Sequence, residues 1–301
     1  MPRRTFGGVV TKTGSGTDGL RLGSYSQRAD YGTTRRRVIA LAPAAFALCQ
    51  VLKAESRQER GRRLLEECIG ALGGERFLKI RDVVRSGRAY AFYRANVRGL
   101  ARITIYENFG PLKDDPEPDW LPVSRREVYT EKGDYYNLFE HGQGWEVTFR
   151  GARPLPKERM IRYRESTLRD IFYFLRYRFD EPDMYYYHRG TEIIDNVPTD
   201  AIDVTDSLGE GVTYFLRQSD RLPVQQVYQR RDPKTRIPSE EKSAFSKYRE
   251  VSGVILPWNI RREVDGEKAF ELFGRTAEVN PRLDASTYTL DKRLNLLPES
   301  P

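Results

Sequence analysis

The sequence predicts a mainly β protein with a few helices (α+β), built around one large antiparallel sheet. Apolar and polar residues alternate in about a dozen short runs after residue 80, and this period of two is typical of half-buried strands. Short polar turns separate the runs, as expected between antiparallel neighbours. Only residues 55–80 and 156–179 have helical spacing. We find no linker-like change in composition after residue 60, so one domain over residues 55–301 is predicted.

An export signal is predicted before this domain, at residues 34–54. The basic cluster Arg35-Arg36-Arg37 directly precedes an apolar run from Val38 to Leu52, a pattern typical of signal peptides. At ~1.5 Å per residue this run is too short for a ~30 Å hydrocarbon core, so a membrane-spanning helix is the weaker interpretation. The protein is therefore expected to be periplasmic, and anchored in the membrane only if the leader is not cleaved.

The order Thr34-Arg-Arg-Arg-Val-Ile39 resembles the twin-arginine export motif and favours that route over the Sec route. Small residues allow cleavage after Ala47 or after Ala54. Lipidation at Cys49 is disfavoured by the bulky Leu48 before it. Residues 1–33 are rich in glycine and poor in apolar residues, which predicts a disordered preamble or a start codon placed too early.

The leader also explains most of the positive charge of the chain. Residues 1–54 hold nine of the 51 Lys and Arg residues and two of the 43 Asp and Glu residues, which leaves 42 basic against 41 acidic residues. A nucleic-acid-binding protein needs a basic face to neutralise phosphates, so no nucleic-acid partner is expected. Cleavage after Ala54 would leave Cys68 as the single cysteine, so stability must come from a core rather than from a disulfide.

The first element of the domain is a helix. Apolar residues recur at helical spacing from Leu64 to Leu72, and Gly73-Gly74 supplies a stop where positive φ is easy. A short helical turn through Phe77 and Leu78 follows. The period then changes to two, which predicts a meander of strands in the first half of the domain, at residues 83–92, 101–109, 126–130, 134–139 and 144–149.

A helical segment interrupts the strands at residues 156–179. Apolar residues from Met160 to Phe179 share one helical face, which predicts an amphipathic helix in one or two pieces. Strands then resume at residues 185–188, 192–194, 201–205, 212–217, 224–230, 243–250, 254–264 and 268–278. Such a sheet must either cover one face with the central helix or curl around an apolar interior.

The sequence offers few groups for a catalytic or metal site. It has two histidines, His141 and His188, and neither a His-Glu-x-x-His nor a Cys-x-x-Cys motif to hold zinc. No Gly-x-Ser-x-Gly, phosphate-binding loop or dinucleotide fingerprint follows a strand. The acidic cluster from Asp114 to Asp119 lacks the ligand order of a calcium loop. We therefore expect no enzyme activity, no metal and no cofactor.

The order of four motifs along residues 60–290 resembles that of the LolA/LolB-like superfamily of periplasmic outer-membrane lipoprotein-sorting proteins. The motifs are Ala71-Leu-Gly-Gly74, the stretch from Gly190 to Val204, Ser219-Asp-Arg-Leu-Pro223, and Tyr248-Arg-Glu-Val-Ser-Gly-Val-Ile-Leu-Pro257. The resemblance implies a curled, unclosed antiparallel half-barrel of about eleven strands, capped by a helical lid, that shelters acyl chains. The chain departs from the carriers of that family in its length and its preamble.

The function predicted from this resemblance and from the aromatic strands is binding of a lipid or lipoprotein acyl group on an apolar concave face. Transient contact with the membrane or with envelope proteins is expected. Bulky apolar residues on the strands and the central helix are predicted to line the site: Tyr90, Phe92, Ile103, Ile105, Phe139, Trp145, Val147, Phe172, Leu175, Val212 and Tyr214.

Two other functions remain open from the sequence. The same fold could serve as an envelope sensor or scaffold that binds a protein partner, which a dry and fully filled interior would favour. An enzyme would be favoured instead by buried Asp, Glu or His residues around an open cleft.

Overall fold

Thirteen antiparallel strands form one sheet in the computed structural model, which describes residues 55–94, 96–110, 123–130, 135–232 and 235–299. The strands are β1 (Asp82–Tyr93), β2 (Asn96–Phe109), β3 (Val123–Thr130), β4 (Tyr135–Glu140), β5 (Gln143–Thr148), β6 (Gly151–Pro154), β7 (Tyr185–Ile194), β8 (Val197–Thr205), β9 (Gly211–Arg217), β10 (Pro223–Arg231), β11 (Pro238–Val251), β12 (Val254–Val264) and β13 (Glu267–Val279).

Helices precede the sheet and interrupt it. They are α1 (Arg57–Leu72), α2 (Glu75–Leu78), α3 (Lys157–Arg169) and α4 (Ile171–Tyr173), which continues as a π-helical turn over Phe174–Arg178. A short 3₁₀ helix follows the last strand at Ala285–Tyr288.

The strand order explains how one helical segment comes to lie on the sheet. The order is β6-β5-β4-β3-β2-β1-β13-β12-β11-β10-β9-β8-β7, so the first and last strands pair in the middle and β6 and β7 form the edges. The chain crosses from one edge to the other through α3 and α4. The edges do not pair with each other, and the sheet stays unclosed and curled.

The predicted fold class is therefore confirmed, with thirteen strands rather than about eleven. Residues 185–188 and 192–194 belong to one strand, β7, and a register shift between His188 and Gly190 breaks its alternation. The sequence analysis missed β6, which is only four residues long.

Helix α1 forms where the sequence predicts it. Its N-terminus has a capping box, because Ser56 Oγ accepts from the Glu59 amide and Glu59 accepts from the Ser56 amide. Gly73 ends the helix with φ of 125°, a value that disfavours residues with a Cβ. Leu64, Leu65 and the other buried residues of α1 pack into the main core.

The main core lies between the helices and the second half of the sheet. Ile171, Phe174 and Leu175 from the central segment meet Ile202 and Tyr214 from β8 and β9 there, and all five side chains are buried. The Cys68 thiol also lies in this core, and burial raises its pKa. The described residues are thus held by packing around an apolar interior.

Several sequence-based predictions fall outside the described residues. They concern the preamble 1–33, the export signal 34–54 with Cys49, and the acidic cluster from Asp114 to Asp119. Within the described ranges, no helix has both the length and the apolar character needed to cross a membrane.

Candidate functional site

The side of the sheet that carries the helices is the inner face. Residues opposite each other on antiparallel strands share a face, so the strand registers identify the residues of the inner face. One such row crosses five strands and contains Phe245, Ile260, Leu272, Ala89 and Ala101. This row forms an apolar floor on the inner face near the middle of the sheet.

A cavity of about 130 Å³, here called the lid cavity, lies between this floor and the helices α3 and α4. Phe172 of α4 reaches into it and meets Phe245 edge to face, with ring centroids 5.2 Å apart. Ile105 of β2 extends the apolar wall. Helix α3 covers the cavity although none of its residues is fully buried.

Charged side chains form the remaining wall of the lid cavity. Arg125 contacts two carboxylates, with Nη1 3.0 Å from Glu107 Oε1 and Nη2 2.8 Å from Glu127 Oε1. The Tyr129 hydroxyl donates to Glu127 Oε2 at 2.9 Å. Arg85 Nη2 lies 4.0 Å from Glu107 Oε2. The charges on these strands are therefore paired beneath the helical segment.

These ion pairs shift the pKa values of the partners. Burial is the largest single influence on Arg125 and Glu127 and opposes their charges, but the nearby opposite charges and hydrogen bonds together outweigh it. The pKa of Arg125 is therefore raised by Glu127 and Glu107, and that of Glu127 is lowered by Arg125. Hydrogen bonds from Tyr129 and Asn137 add to the lowering at Glu127. Both groups are thus held in their charged forms.

Asp170 and Arg262 complete the polar wall. Asp170 Oδ1 accepts from the amides of Phe172 at 3.1 Å and Tyr173 at 3.2 Å, which caps α4. Burial nevertheless raises the pKa of Asp170, and the hydrogen bond from Tyr173 and the charge of Arg262 offset this only in part. Arg262 is exposed and has no ion-pair partner among the described residues.

A second cavity, here called the mouth cavity, lies further along the inner face. Its volume is about 350 Å³. Ala91 and Leu100 line it at the end of the β1–β2 hairpin, with Tyr129 and Asn137 on the side of β3 and β4. Phe270 is shared with the lid cavity. The first half of the sheet therefore has two adjoining spaces on its inner face. A larger open depression of about 1050 Å³ lies against β7–β11 and has many charged side chains.

Of the eleven wall residues predicted from the sequence, Ile105 and Phe172 line the lid cavity. Ile103 is buried in the same small cluster as Ile105 but lines neither cavity. Phe139 lies under α3, where its ring stacks on Tyr163 with centroids 4.1 Å apart.

The other predicted wall residues lie away from both cavities. Leu175, Val212 and Tyr214 are packed in the main core. Tyr90 alternates with the inner-face residue Ala89 and so points to the opposite face, as Trp145 and Val147 do on β5. Phe92 lies beneath Lys268, whose Nζ is 5.0 Å from the ring centroid.

The sequence analysis did not identify the charged part of the site. The residues concerned are Arg85, Glu107, Arg125, Glu127, Asp170 and Arg262. The alternation along the strands could have indicated several of them. Arg85 lies on the same face of β1 as Ala89, and Glu107 lies on the same face of β2 as Ile105. The prediction favoured the face of β1 that carries bulky aromatic residues. The face of β1 toward the cavities instead carries Arg85 at the lid cavity and small residues at the mouth cavity.

Neither histidine lies at this site. His188 is buried in β7, where Nε2 is 2.9 Å from Asp200 Oδ1, and Asp200 Oδ2 is 2.8 Å from Arg221 Nη1. His141 occupies the turn between β4 and β5. Across the described ranges, no group of three or more His, Cys, Asp and Glu side chains is arranged to hold a metal ion.

No protein-family model matches the chain, and no curated protein matches it in sequence. Among solved structures, a DUF1329 family protein from Desulfovibrio piger is similar to it at 14% identity, with a TM-score of 0.52. The match covers 78% of this chain and 98% of that chain.

Two further solved structures are similar at lower TM-scores. A protein described as an outer membrane lipoprotein-sorting protein domain, from Vibrio parahaemolyticus, has 10% identity and a TM-score of 0.49, over 76% of this chain and 96% of that chain. A LolA superfamily protein from Nitrosomonas europaea has 13% identity and a TM-score of 0.45, over 76% of this chain and 97% of that chain. At 14% identity, the likeness to the Desulfovibrio piger protein concerns the fold alone, and at that level the LolA/LolB-like fold expected from the sequence is confirmed.

Proposed function

We propose that the protein is exported to the periplasm and binds the acyl chain of a lipid or lipoprotein on the inner face of its sheet, as a carrier-like protein without catalytic activity. The observation that carries the proposal is the uneven filling of that face. Phe174, Leu175 and Tyr214 fill the half formed by the later strands. The half formed by β1–β4 has the lid and mouth cavities.

The volume of the lid cavity implies that binding requires movement of the helical segment. A dry cavity of ~150 Å³ accommodates one benzene molecule, so the lid cavity, at about 130 Å³, holds only a short part of an acyl chain. Helix α3 is the element that can move, because none of its residues is fully buried. Displacement of α3 would join the lid cavity to the mouth cavity along the apolar floor.

The charged wall favours an amphiphilic ligand over a plain hydrocarbon. Arg262 provides an exposed guanidinium at the lid cavity without an ion-pair partner among the described residues, and Ile260 and Leu272 line the same cavity. A polar head group would meet the guanidinium while the chain follows the apolar floor. The carboxylates are paired with arginines or cap a helix, and this arrangement suits binding rather than acid–base chemistry.

Titration of a fluorescent fatty acid into delipidated full-length protein tests the proposal. Each buried methylene contributes ~0.8 kcal/mol, so ten would supply at most ~8 kcal/mol. Ordering costs are subtracted from this gain, so micromolar affinity is the upper bound for ten methylenes. Affinity should increase as the chain lengthens from about eight to about sixteen carbons. Ile105→Glu should abolish binding because it places a carboxylate in the apolar wall.

The matched control is Ile193→Glu, the same substitution at a side chain that is 72% exposed. Phe172→Ala should alter the affinity without adding charge, which separates a local effect from unfolding of the Ile105 variant. Binding that does not depend on chain length, or equal losses in the two Glu variants, would contradict acyl binding.

The second candidate function is that of an envelope scaffold that binds a protein partner. The filled half of the inner face favours it, since Tyr214 and Leu216 are fully buried there and leave no room for a ligand. The two cavities beside β1–β4 favour acyl binding instead. Absence of any fatty-acid binding would leave the scaffold as the better account.

A further inference from the structure

The β1–β2 hairpin ends in a group of exposed apolar and basic side chains, here called the hairpin tip: Tyr93, Arg94, Val97, Arg98 and Leu100. Tyr93 is 54% exposed, Val97 56% and Leu100 44%. Exposed apolar groups in such a cluster are uncommon on a soluble surface and often mark an interaction site. The fold does not use these side chains for its core.

The hairpin extends beyond its neighbour on one side. Among the described residues, β2 pairs with β3 only as far as Arg102, opposite Thr130, so residues 96–101 have β1 as their sole neighbouring strand. At ~3.4 Å per residue these six residues span roughly 20 Å. On the other side, β13 pairs with β1 as far as Ala91. The hairpin tip is therefore a projecting edge of the sheet.

The hairpin tip is strongly basic. The tip itself contains Arg94 and Arg98, and from Arg88 to Arg102 the sequence contains four arginines and no Asp or Glu. The guanidinium carbons of Arg94 and Arg98 lie 5.3 Å and 5.7 Å from the centroid of the Tyr93 ring. The nearby Glu271 of β13 already contacts Lys268 at 3.2 Å.

We propose that the hairpin tip docks on the surface of an anionic phospholipid bilayer. Tyrosine rings and aliphatic side chains partition into the interface between head groups and acyl chains, and adjacent arginines are attracted to anionic head groups. The hairpin tip combines both features on one projecting edge. A protein groove would meet the apolar side chains equally well, but two exposed arginines, with no acidic residue in the sequence from Arg88 to Arg102, match a surface of uniform negative charge.

Docking of the hairpin tip would bring the mouth cavity close to the bilayer, because the two share a residue. Leu100 belongs both to the hairpin tip and to the wall of the mouth cavity, and Ala91 and Gly99 line the cavity beside it. Docking would place the open end of the inner face against the bilayer. The docking itself does not depend on acyl binding and can be tested separately from it.

An environment-sensitive fluorophore on the hairpin tip tests the proposal directly. The label is attached to Val97→Cys in a full-length Cys49→Ser background, where the remaining cysteine, Cys68, is buried. Vesicles that contain 30% phosphatidylglycerol in phosphatidylcholine should produce a blue shift and a severalfold increase in emission. Pure phosphatidylcholine vesicles should not, and raising the salt from 0.1 to 1 M should weaken the response because the Debye length falls from ~10 to ~3 Å.

Substitutions at the hairpin tip and at matched exposed sites complete the test. Arg94→Gln with Arg98→Gln should weaken binding to the anionic vesicles about thirtyfold, since each arginine near an anionic surface contributes ~1 kcal/mol. Arg231→Gln with Arg236→Gln removes the same charge elsewhere and should change binding less than twofold. A label at Ile193→Cys should stay silent. An unresponsive label at residue 97, an equal response at residue 193, or equal losses in the two double variants would overturn the proposal.

Discussion

Two carboxylates in the lid cavity illustrate how residues in one site acquire opposite properties. Glu127 is buried beside Arg125 and accepts from Tyr129, so its pKa is lowered. Asp170 accepts two backbone amides, yet burial prevails and its pKa is raised. The difference lies in the partners: Glu127 is 2.8 Å from a guanidinium, whereas Asp170 has only the more distant charges of Arg262 and Arg85.

The two carboxylates should therefore have opposite effects on the pH dependence of stability. A lowered folded-state pKa stabilises the protein above the unfolded value of ~4.3 and the effect is lost as pH falls, so Glu127→Gln should cost about 1–3 kcal/mol at pH 7 and progressively less towards pH 3. A raised folded-state pKa has the opposite effect: the group lowers the stability of the protein as pH rises above the unfolded pKa. Asp170→Asn keeps an oxygen to cap α4 and should gain stability relative to the parent protein as pH rises from about 4 to 7.

Urea denaturation at several pH values measures both effects. Glu250→Gln, at an exposed carboxylate, is the control and should show a small change at every pH. Parallel stability curves for the parent protein and the Asp170→Asn variant would contradict the assigned pKa direction.

Individual residues of the site were harder to predict from the sequence than the elements that carry them. The period of two correctly placed Ala89 and Tyr90 on opposite faces of β1, but it could not show which of the two faces lies toward the helices. Small residues on the inner face of β1, such as Ala91, leave room for the mouth cavity, and the choice of large aromatic residues missed this. Charged side chains such as Arg125 and Glu127 are buried only because tertiary pairing neutralises them, and a single sequence does not show such pairs.

At the scale of elements, the central helical segment consists of two parts with different roles. α3 ends at Arg169, and Asp170 has extended backbone angles that start the next turn. None of the residues of α3 is fully buried, whereas α4 and the π-helical turn place Ile171, Phe174 and Leu175 in the main core. The sequence predicted helix over the whole segment but could not separate the part without buried residues from the part in the main core, because both parts have apolar residues at helical spacing.

Within the second part, Phe172 and Leu175 have different surroundings, which predicts different costs for their truncation. Leu175 is 2% exposed within the main core, so Leu175→Ala should lower the free energy of unfolding by ~2–5 kcal/mol. Phe172→Ala should cost less than the ~3–5 kcal/mol typical of a fully packed phenylalanine, because one side of its ring faces the lid cavity. Urea denaturation measures both, with Leu208→Ala at an 85% exposed side chain as control. Losses above about 3 kcal/mol in both variants would assign Phe172 to the core together with Leu175.

At the scale of the whole molecule, the sheet is a meander whose first and last strands pair in its centre. β1 pairs with β13 over Val83–Ala91, with a bulge between Ser86 and Gly87. The four motifs behind the family resemblance map to local features: the end of α1, the β7–β8 hairpin, the β9–β10 turn and the β11–β12 hairpin. Turn chemistry of this kind is readable in a sequence. The long-range pairing of β1 with β13 has no local signal, and it was not predicted from the sequence.

The expected location of the whole molecule rests on its first 54 residues and can be tested apart from the fold. The twin-arginine route recognises a pair of guanidinium groups, and lysine cannot reproduce their planar fork. Arg35→Lys with Arg36→Lys should therefore keep the protein out of the periplasm, as measured by immunoblots of cell fractions. The chain offers a matched control in Arg3 and Arg4, an arginine pair with no apolar run behind it, and the corresponding double Lys variant should be exported normally. Export of both variants would indicate the Sec route. N-terminal sequencing of the exported protein should find a start near Leu48 or Glu55, and an intact N-terminus would instead identify the segment as a membrane anchor.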